Sequence, residues 1–186
     1  MNDTFHWWTV PAIVIPAAVA APAYAVQYFT VAQAQRALFP DAAAFVSRPV
    51  ALSAARKDVI EDYSGIRLRA EHQPVWRAEV DGRLLGWFVL DEVYGKHEFI
   101  TYAVALDPRG GVRGIDILDY RETHGGEVRD KRWQAQFVGK HYGDTLKLGD
   151  TVQNISGATL SCKHITEGVR RVLALYETAL RQGAGQ

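Results

Sequence analysis

Cysteine is nearly absent: Cys162 is the one thiol among 186 residues. A lone thiol excludes an intrachain disulfide framework and any multi-cysteine zinc or iron–sulfur cage, so the fold must be held by its apolar core. Excess charge of either sign is also missing, with 21 Lys and Arg against 21 Asp and Glu. Without a net field, nucleic acid is not expected as a partner, and recognition must be local. The histidines (His6, His72, His97, His124, His141 and His164) lack the i,i+4 or His-x-His pairing of a metal or haem site. Repeats and low-complexity tracts are lacking too, which points to a single domain.

Charge disappears altogether from one long stretch. Trp7 to Phe29 (WWTVPAIVIPAAVAAPAYAVQYF) has no Lys, Arg, Asp or Glu and is mostly apolar. It reads as an export segment, with Ala23-Tyr24-Ala25 as the small-x-small cleavage pattern and Val26 as the mature start. Pro11, Pro16 and Pro22 weaken it as a spanning helix, yet it is long enough to cross a bilayer, so a retained anchor is the alternative. The residues before it include Asp3 and His6 but no Lys or Arg, a departure from the usual signal pattern.

What is present organises the remainder. Thr30 is placed to cap a short amphipathic helix with Val31, Ala34, Leu38 and Phe39 on one face, stopped by Pro40. Residues 41–75 have no clean period, and Val50-Ala-Leu-Ser-Ala fits the start of either a strand or a helix. From Val75 the pattern becomes strand-like: VWRAEV, the turn Asp81-Gly82 and RLLGWFVLDEVYG form a hairpin signal. EFITYAVALD and VRGIDILDY follow, joined by Pro108-Arg-Gly-Gly111. These runs predict one antiparallel sheet of about four or more strands.

KRWQAQFVGKHYG is expected to form a short helix with Trp133 and Phe137 four apart, and LKLGDTVQNI a further short strand. Leu160 to Leu180 should be a long helix with Ile165, Val169, Val172, Leu173, Tyr176 and Leu180 as its buried stripe. The fold class is therefore α+β, a single domain with an antiparallel sheet flanked by helices and a long C-terminal helix.

Before that helix stands Asn154-Ile155-Ser156-Gly157-Ala158-Thr159-Leu160-Ser161. Small residues let backbone approach a ligand closely, and a helix N-terminus offers a phosphate unpaired N–H groups and the positive end of the macrodipole. Thr159 lies at or just before the first turn, where its hydroxyl is placed to cap the helix; Ser161 either caps it or binds the phosphate. A hydrolase using Ser156 or Ser161 is a weaker reading, because the Gly-x-Ser-x-Gly elbow and ordered Asp and His partners are missing. Cys162 is either a thiol activated by the helix dipole or a packed, inert one. Lys163, Arg170 and Arg171 form a small basic cluster or a solvated helix face.

The segment from Ser156 to Ser161 resembles the flavinylation signature of the FMN-binding domain family, which includes the small FMN-carrying subunits of sodium-pumping quinone reductase and Rnf complexes. Tyr120-Arg-Glu122-Thr123-His-Gly125-Gly126-Glu resembles that family's glutamate-threonine-glycine loop, and Gly114-Ile-Asp-Ile-Leu resembles the strand before it. The likeness runs from about Leu84 to Leu180; Gln153 stands where many members have aspartate. It implies FMN joined by a phosphoester to Thr159 through a flavin transferase that cleaves FAD. Ser156, Gly157, Ala158, Leu160 and Ser161 would surround the attachment point, Glu122, Thr123, Gly125 and Gly126 would meet the flavin ring, and Trp133 would be a pocket wall. The export segment and the resemblance together divide the chain into residues 1–25, a signal peptide or retained anchor, and residues 26–186, an FMN-binding domain.

The implied role is an exported electron-transfer flavoprotein, a redox carrier more than a stand-alone enzyme. It would sit at the periplasmic or extracytoplasmic face of the inner membrane, with membrane or periplasmic redox partners. The rival reading is a sensory or regulatory module that holds the flavin without catalysis.

Overall fold

The computed structural model describes residues 26–27 and 29–185, so the expected signal segment, residues 1–25, lies outside the described residues. Thr30 starts the first helix, α1 (Val31–Leu38), through a capping box: its Oγ1 accepts from Gln33 N–H at 3.2 Å while Gln33 Oε1 accepts from Thr30 N–H at 2.8 Å. Leu38 ends it two residues before Pro40, and Phe39 turns into the core at 1% exposure.

The stretch without a clean period, 41–75, contains short pieces: β2 (Ala44–Ser47), β3 (Val50–Ala51), α2 (Ala54–Ser64, capped by Ser53) and β4 (His72–Gln73). The chain then makes β5 (Val75–Val80), β6 (Arg83–Tyr94), β7 (Phe99–Leu106) and β8 (Val112–Tyr120). Asp81 and Gly82 both have positive φ (49° and 73°), as a two-residue turn matched to the strand twist requires, and glycine adopts this at no steric cost. With β1 (Val26–Gln27) on β8, the sheet is six-stranded and antiparallel in the order β1-β8-β7-β6-β5-β2. The chain thus enters the sheet beside the end of β8, where Val26 pairs with Tyr120.

Strand β7 shows how the faces divide. Tyr102, Val104 and Leu106 belong to the large core under the C-terminal helix, whereas Ala103 and Ala105 face the smaller cluster of Ala34, Phe39, Phe88 and Leu118. After a short helix, α3 (Lys131–Gln134), that C-terminal helix, α4, runs Thr159–Leu175 and continues as a π-helical turn, Tyr176–Leu180. The predicted stripe is buried from Ile165 through Leu180, each such side chain contributing about 1.5–3 kcal/mol.

The expected strand LKLGDTVQNI does not form. Thr151 Oγ1 accepts from Lys147 N–H at 2.9 Å and donates to Thr145 O at 2.9 Å, closing a turn whose only ladder contact is a bridge between Leu148 and Val152. Arg171 also departs from a solvated face. It is buried, and its Nε and Nη2 reach Asp91 Oδ2 at 3.0 and 2.7 Å, fastening α4 to β6; Arg170 lies over the Tyr63 ring. Among the described residues, no helix is long and apolar enough to cross a membrane.

Candidate functional site

Two loops meet where β8 ends and α4 begins. Tyr120 joins them: its hydroxyl donates to His124 O at 2.5 Å and lies 3.1 Å from Ser161 Oγ. Burial is the main cause that raises the Tyr120 phenol above its ordinary pKa, with the bond to Ser161 opposing it. Gly125 takes φ 89° in the space this leaves; a β-carbon there would sit 2.6 Å from Tyr120 Oη and 3.0 Å from Ala158 Cβ. Only glycine lets the first loop lie this close to the start of α4.

The loops border an open cleft of about 660 Å³. Of the predicted residues it brings together Thr123, Gly125, Gly126, Ser156 and Gly157; His124 and Glu127, which stand in the same loop motif but were not expected as contacts, and Arg129, outside it, also line it. A second cleft of about 510 Å³ lies against Trp133, Gln153 and Asn154, and Glu127 borders both. Each volume suits a mononucleotide-sized ligand, for which sites of about 300–1,000 Å³ are usual. Trp133 is buried, stands edge-on to Phe137 with ring centroids 5.2 Å apart, and donates from Nε1 to Gln153 O at 2.8 Å.

Glu122 points elsewhere. Its Oε1 accepts from the backbone N–H groups of His97 at 2.6 Å, Glu98 at 3.1 Å and Lys96, bracing the β6–β7 hairpin, and it does not line either cleft. Partial burial raises its pKa, but the three N–H donors outweigh burial and hold the carboxyl below its usual range. Nothing local in Glu122-Thr123 announces this contact, which reaches back across β7 and β8.

At the start of α4 the expected cap is absent. Thr159 is the first helical residue; Ala158, with φ −117° and ψ 17°, holds the N-cap position, and no side chain caps the helix. Ala158 N–H donates to Ile155 O at 3.0 Å and Cys162 N–H to Ala158 O at 2.9 Å, so the N–H groups between them, those of Thr159, Leu160 and Ser161, are the ones that helix geometry leaves without an intrahelical acceptor at the positive end of the dipole, an arrangement suited to a phosphate. The Thr159 side chain is exposed, and its Oγ1 accepts from Asn154 Nδ2 at 3.0 Å. Leu160 is exposed beside it, whereas Ala158 and Ser161 are buried. Ser161 therefore faces Tyr120 and the sheet. Cys162 is fully buried, and burial raises its thiol pKa, which makes it the packed rather than the activated cysteine. No cluster of metal-binding side chains occurs among the described residues.

The donor set fits the phosphate end of a flavin mononucleotide: free helix N–H groups, a threonine hydroxyl, an asparagine amide and a glycine-lined approach. Comparison with known proteins agrees. A component of the Na(+)-translocating NADH-quinone reductase of Pasteurella multocida is 36% identical over 105 residues, covering 54% of this chain and 39% of its own length. A component of the Na(+)-translocating ferredoxin:NAD(+) oxidoreductase complex of Acetobacterium woodii is 26% identical over 156 residues, covering 77% of this chain and 72% of its own. The chain thus spans well under half of the first of these relatives.

The crystal structure of Shewanella oneidensis NqrC shares the fold, with a TM-score of 0.59 at 20% identity over 81% of this chain and 88% of that one. So does a Na(+)-translocating NADH-quinone reductase component from Parabacteroides distasonis, with a TM-score of 0.53 at 19% identity over 72% of this chain and 77% of that one. Residues 95–174, which run from the β6–β7 hairpin through both loops into α4, match the FMN-binding domain family. That segment, which holds both loops of the site and most of α4, is thus similar to the FMN-binding domain family, and the chain as a whole shares its fold with these two structures.

Proposed function

We propose that this protein is an electron-transfer flavoprotein carrying FMN through a phosphoester to Thr159 Oγ1. The observation that carries the reading is the Thr159 hydroxyl: exposed, committed to no cap, and held at the uncapped N-terminus of a 17-residue helix. A capping threonine would spend its oxygen on the helix's own N–H groups. Here those groups and the hydroxyl are left to one ligand. Both relatives above belong by name to Na(+)-translocating oxidoreductases, which supports a carrier role with membrane redox partners.

In this reading the flavin supplies one- and two-electron chemistry, and the protein supplies position and hydrogen bonds. The residues have separate tasks. The N–H groups at the start of α4 hold phosphate, Gly125, Gly126 and Gly157 keep the approach open, and Trp133 fixes the backbone on which Asn154 is mounted. Thr123 and Ser156 offer hydroxyls along the cleft. Glu122 acts through the hairpin it braces. Export by residues 1–25, or anchoring through them, places the domain on the extracytoplasmic side, with a flavin transferase as the partner that loads it.

The test is intact mass after co-expression with a flavin transferase, beside Thr159→Ala. A gain of one FMN less water, with fluorescence that survives denaturation and is absent from the variant, is the expected result. An unmodified wild-type mass overturns covalent attachment.

A further inference from the structure

We propose that Asn154 is a positioning residue that orients the Thr159 hydroxyl for flavin transfer; the inference rests on Thr159 as the attachment point. Asn154 Nδ2 donates to Thr159 Oγ1 at 3.0 Å, and both side chains are exposed, so burial does not require the contact. What precedes it is held firmly. Gln153 N–H donates to Gln136 Oε1 at 2.8 Å, Gln153 O accepts from Trp133 Nε1 at 2.8 Å, and Gln136 Nε2 donates to Trp133 O at 3.0 Å. Both backbone polar groups of residue 153 are thus fastened to the segment 131–137. The next residue, Asn154, projects from a fixed point across the loop to the first residue of α4.

The contact has a chemical consequence. A hydroxyl has one proton to donate and two lone pairs. The Asn154 amide occupies one lone pair and restrains the Thr159 rotamer, which leaves the proton and the second lone pair directed away from the amide. Transfer then needs one nucleophilic displacement. The Oγ1–phosphorus bond forms, and the phosphorus–oxygen bond of the FAD pyrophosphate breaks. AMP leaves with the electron pair, and the hydroxyl proton passes to a base of the transferase or to water. A hydroxyl free to rotate would present that lone pair only part of the time, and misplacement of a reacting atom by about 1 Å can cost on the order of 100-fold in rate.

The experiment follows the initial rate of flavin incorporation by intact mass, using the full chain, a flavin transferase and FAD. Asn154→Leu, similar in size but without a donor, should lower the rate about 10- to 100-fold while leaving the melting temperature unchanged. Asn154→Asp provides the readout that a merely structural role would not move. An ionised carboxylate accepts the Thr159 proton instead of donating, so this variant should recover rate, relative to wild type at each pH, as pH rises through the ordinary aspartate value of about 3.9. Asn154→Leu should show no such rise. Wild-type rates in Asn154→Leu, or an Asn154→Asp to wild-type ratio that stays flat with pH, would overturn the positioning role. A wild-type chain that takes no FMN overturns the attachment reading itself.

Discussion

Replacing Gly125 by alanine tests whether the two loops of the site are packed as tightly as the geometry requires. The substitution has two costs. At φ 89° an L-residue sits in the left-handed region, which costs about 1–2 kcal/mol. The new β-carbon also falls 2.6 Å from Tyr120 Oη, 3.0 Å from Ala158 Cβ and 3.2 Å from Ala158 Cα. The backbone contact cannot yield without moving the start of α4, so the Tyr120 hydroxyl must give way. It then weakens its bonds to His124 O and Ser161 Oγ, a loss of about 1–3 kcal/mol when a buried group is left poorly paired.

The sum, about 2–5 kcal/mol, should appear as a lower urea midpoint with an unchanged slope. In a Tyr120→Phe background the same substitution should cost less, approaching the φ cost alone, so the double-mutant cycle should show coupling of about 1–3 kcal/mol. Gly126→Ala is the internal control: nothing lies within 4 Å of its β-carbon position, and its effect should stay within about 0.5 kcal/mol. A Gly125→Ala protein as stable as wild type, or equally destabilised with and without the tyrosine hydroxyl, would refute this account of the junction.

Arg171→Met should destabilise by about 3–5 kcal/mol, because it strands the Asp91 carboxylate in the core, and Asp91→Leu in the same chain should restore much of that loss; chemical denaturation of the three proteins checks it. Thr159→Ala without flavin should melt within about 0.5 kcal/mol of wild type, since the hydroxyl caps nothing, and a loss near 1 kcal/mol would return the residue to a capping role. Glu122→Gln tests the hairpin brace by pH. A carboxyl held below its usual value stabilises the fold above the unfolded value of about 4.3 and loses that contribution as pH falls through the folded one. The gap in melting temperature between wild type and Glu122→Gln should therefore be present at neutral pH and close in acid; a gap constant with pH would contradict the brace.

Where local chemistry decides conformation, the sequence was legible. Thr30 caps α1 as expected, with Gln33 completing the box, Asp81-Gly82 forms the expected turn, and the stripe along α4 is buried as its period predicts. Where a partner decides, it was not. LKLGDTVQNI has strand composition, but Thr151 closes it into a turn before any neighbouring strand can pair with it. Arg171 looks solvated beside Arg170 until Asp91, 80 residues earlier, is placed next to it. The site divides in the same way. Its backbone, from Ser156 to Thr159 with Gly125 and Gly126, follows from motif and helix start. The directions of Glu122 and Ser161 depend on a hairpin and a tyrosine that only the tertiary fold brings near.

The start of α4 shows why that motif stands out from its surroundings. The shift of one residue that makes Thr159 the first helical position hands the N-cap to Ala158, among the poorest residues for it and a choice that gives up about 1 kcal/mol relative to serine or threonine. The same shift turns the threonine hydroxyl out to solvent and leaves the helix N–H groups for an outside acceptor. Further along, the helix is fastened with unusual care, by the Arg171–Asp91 pair and by Gly168, where a β-carbon would fall 2.1 Å from Tyr102 Oη. A helix fastened along its length and uncapped at one end suits the attachment proposed above: the acceptor oxygen would stay in place, and the phosphate would supply the cap that the sequence withholds.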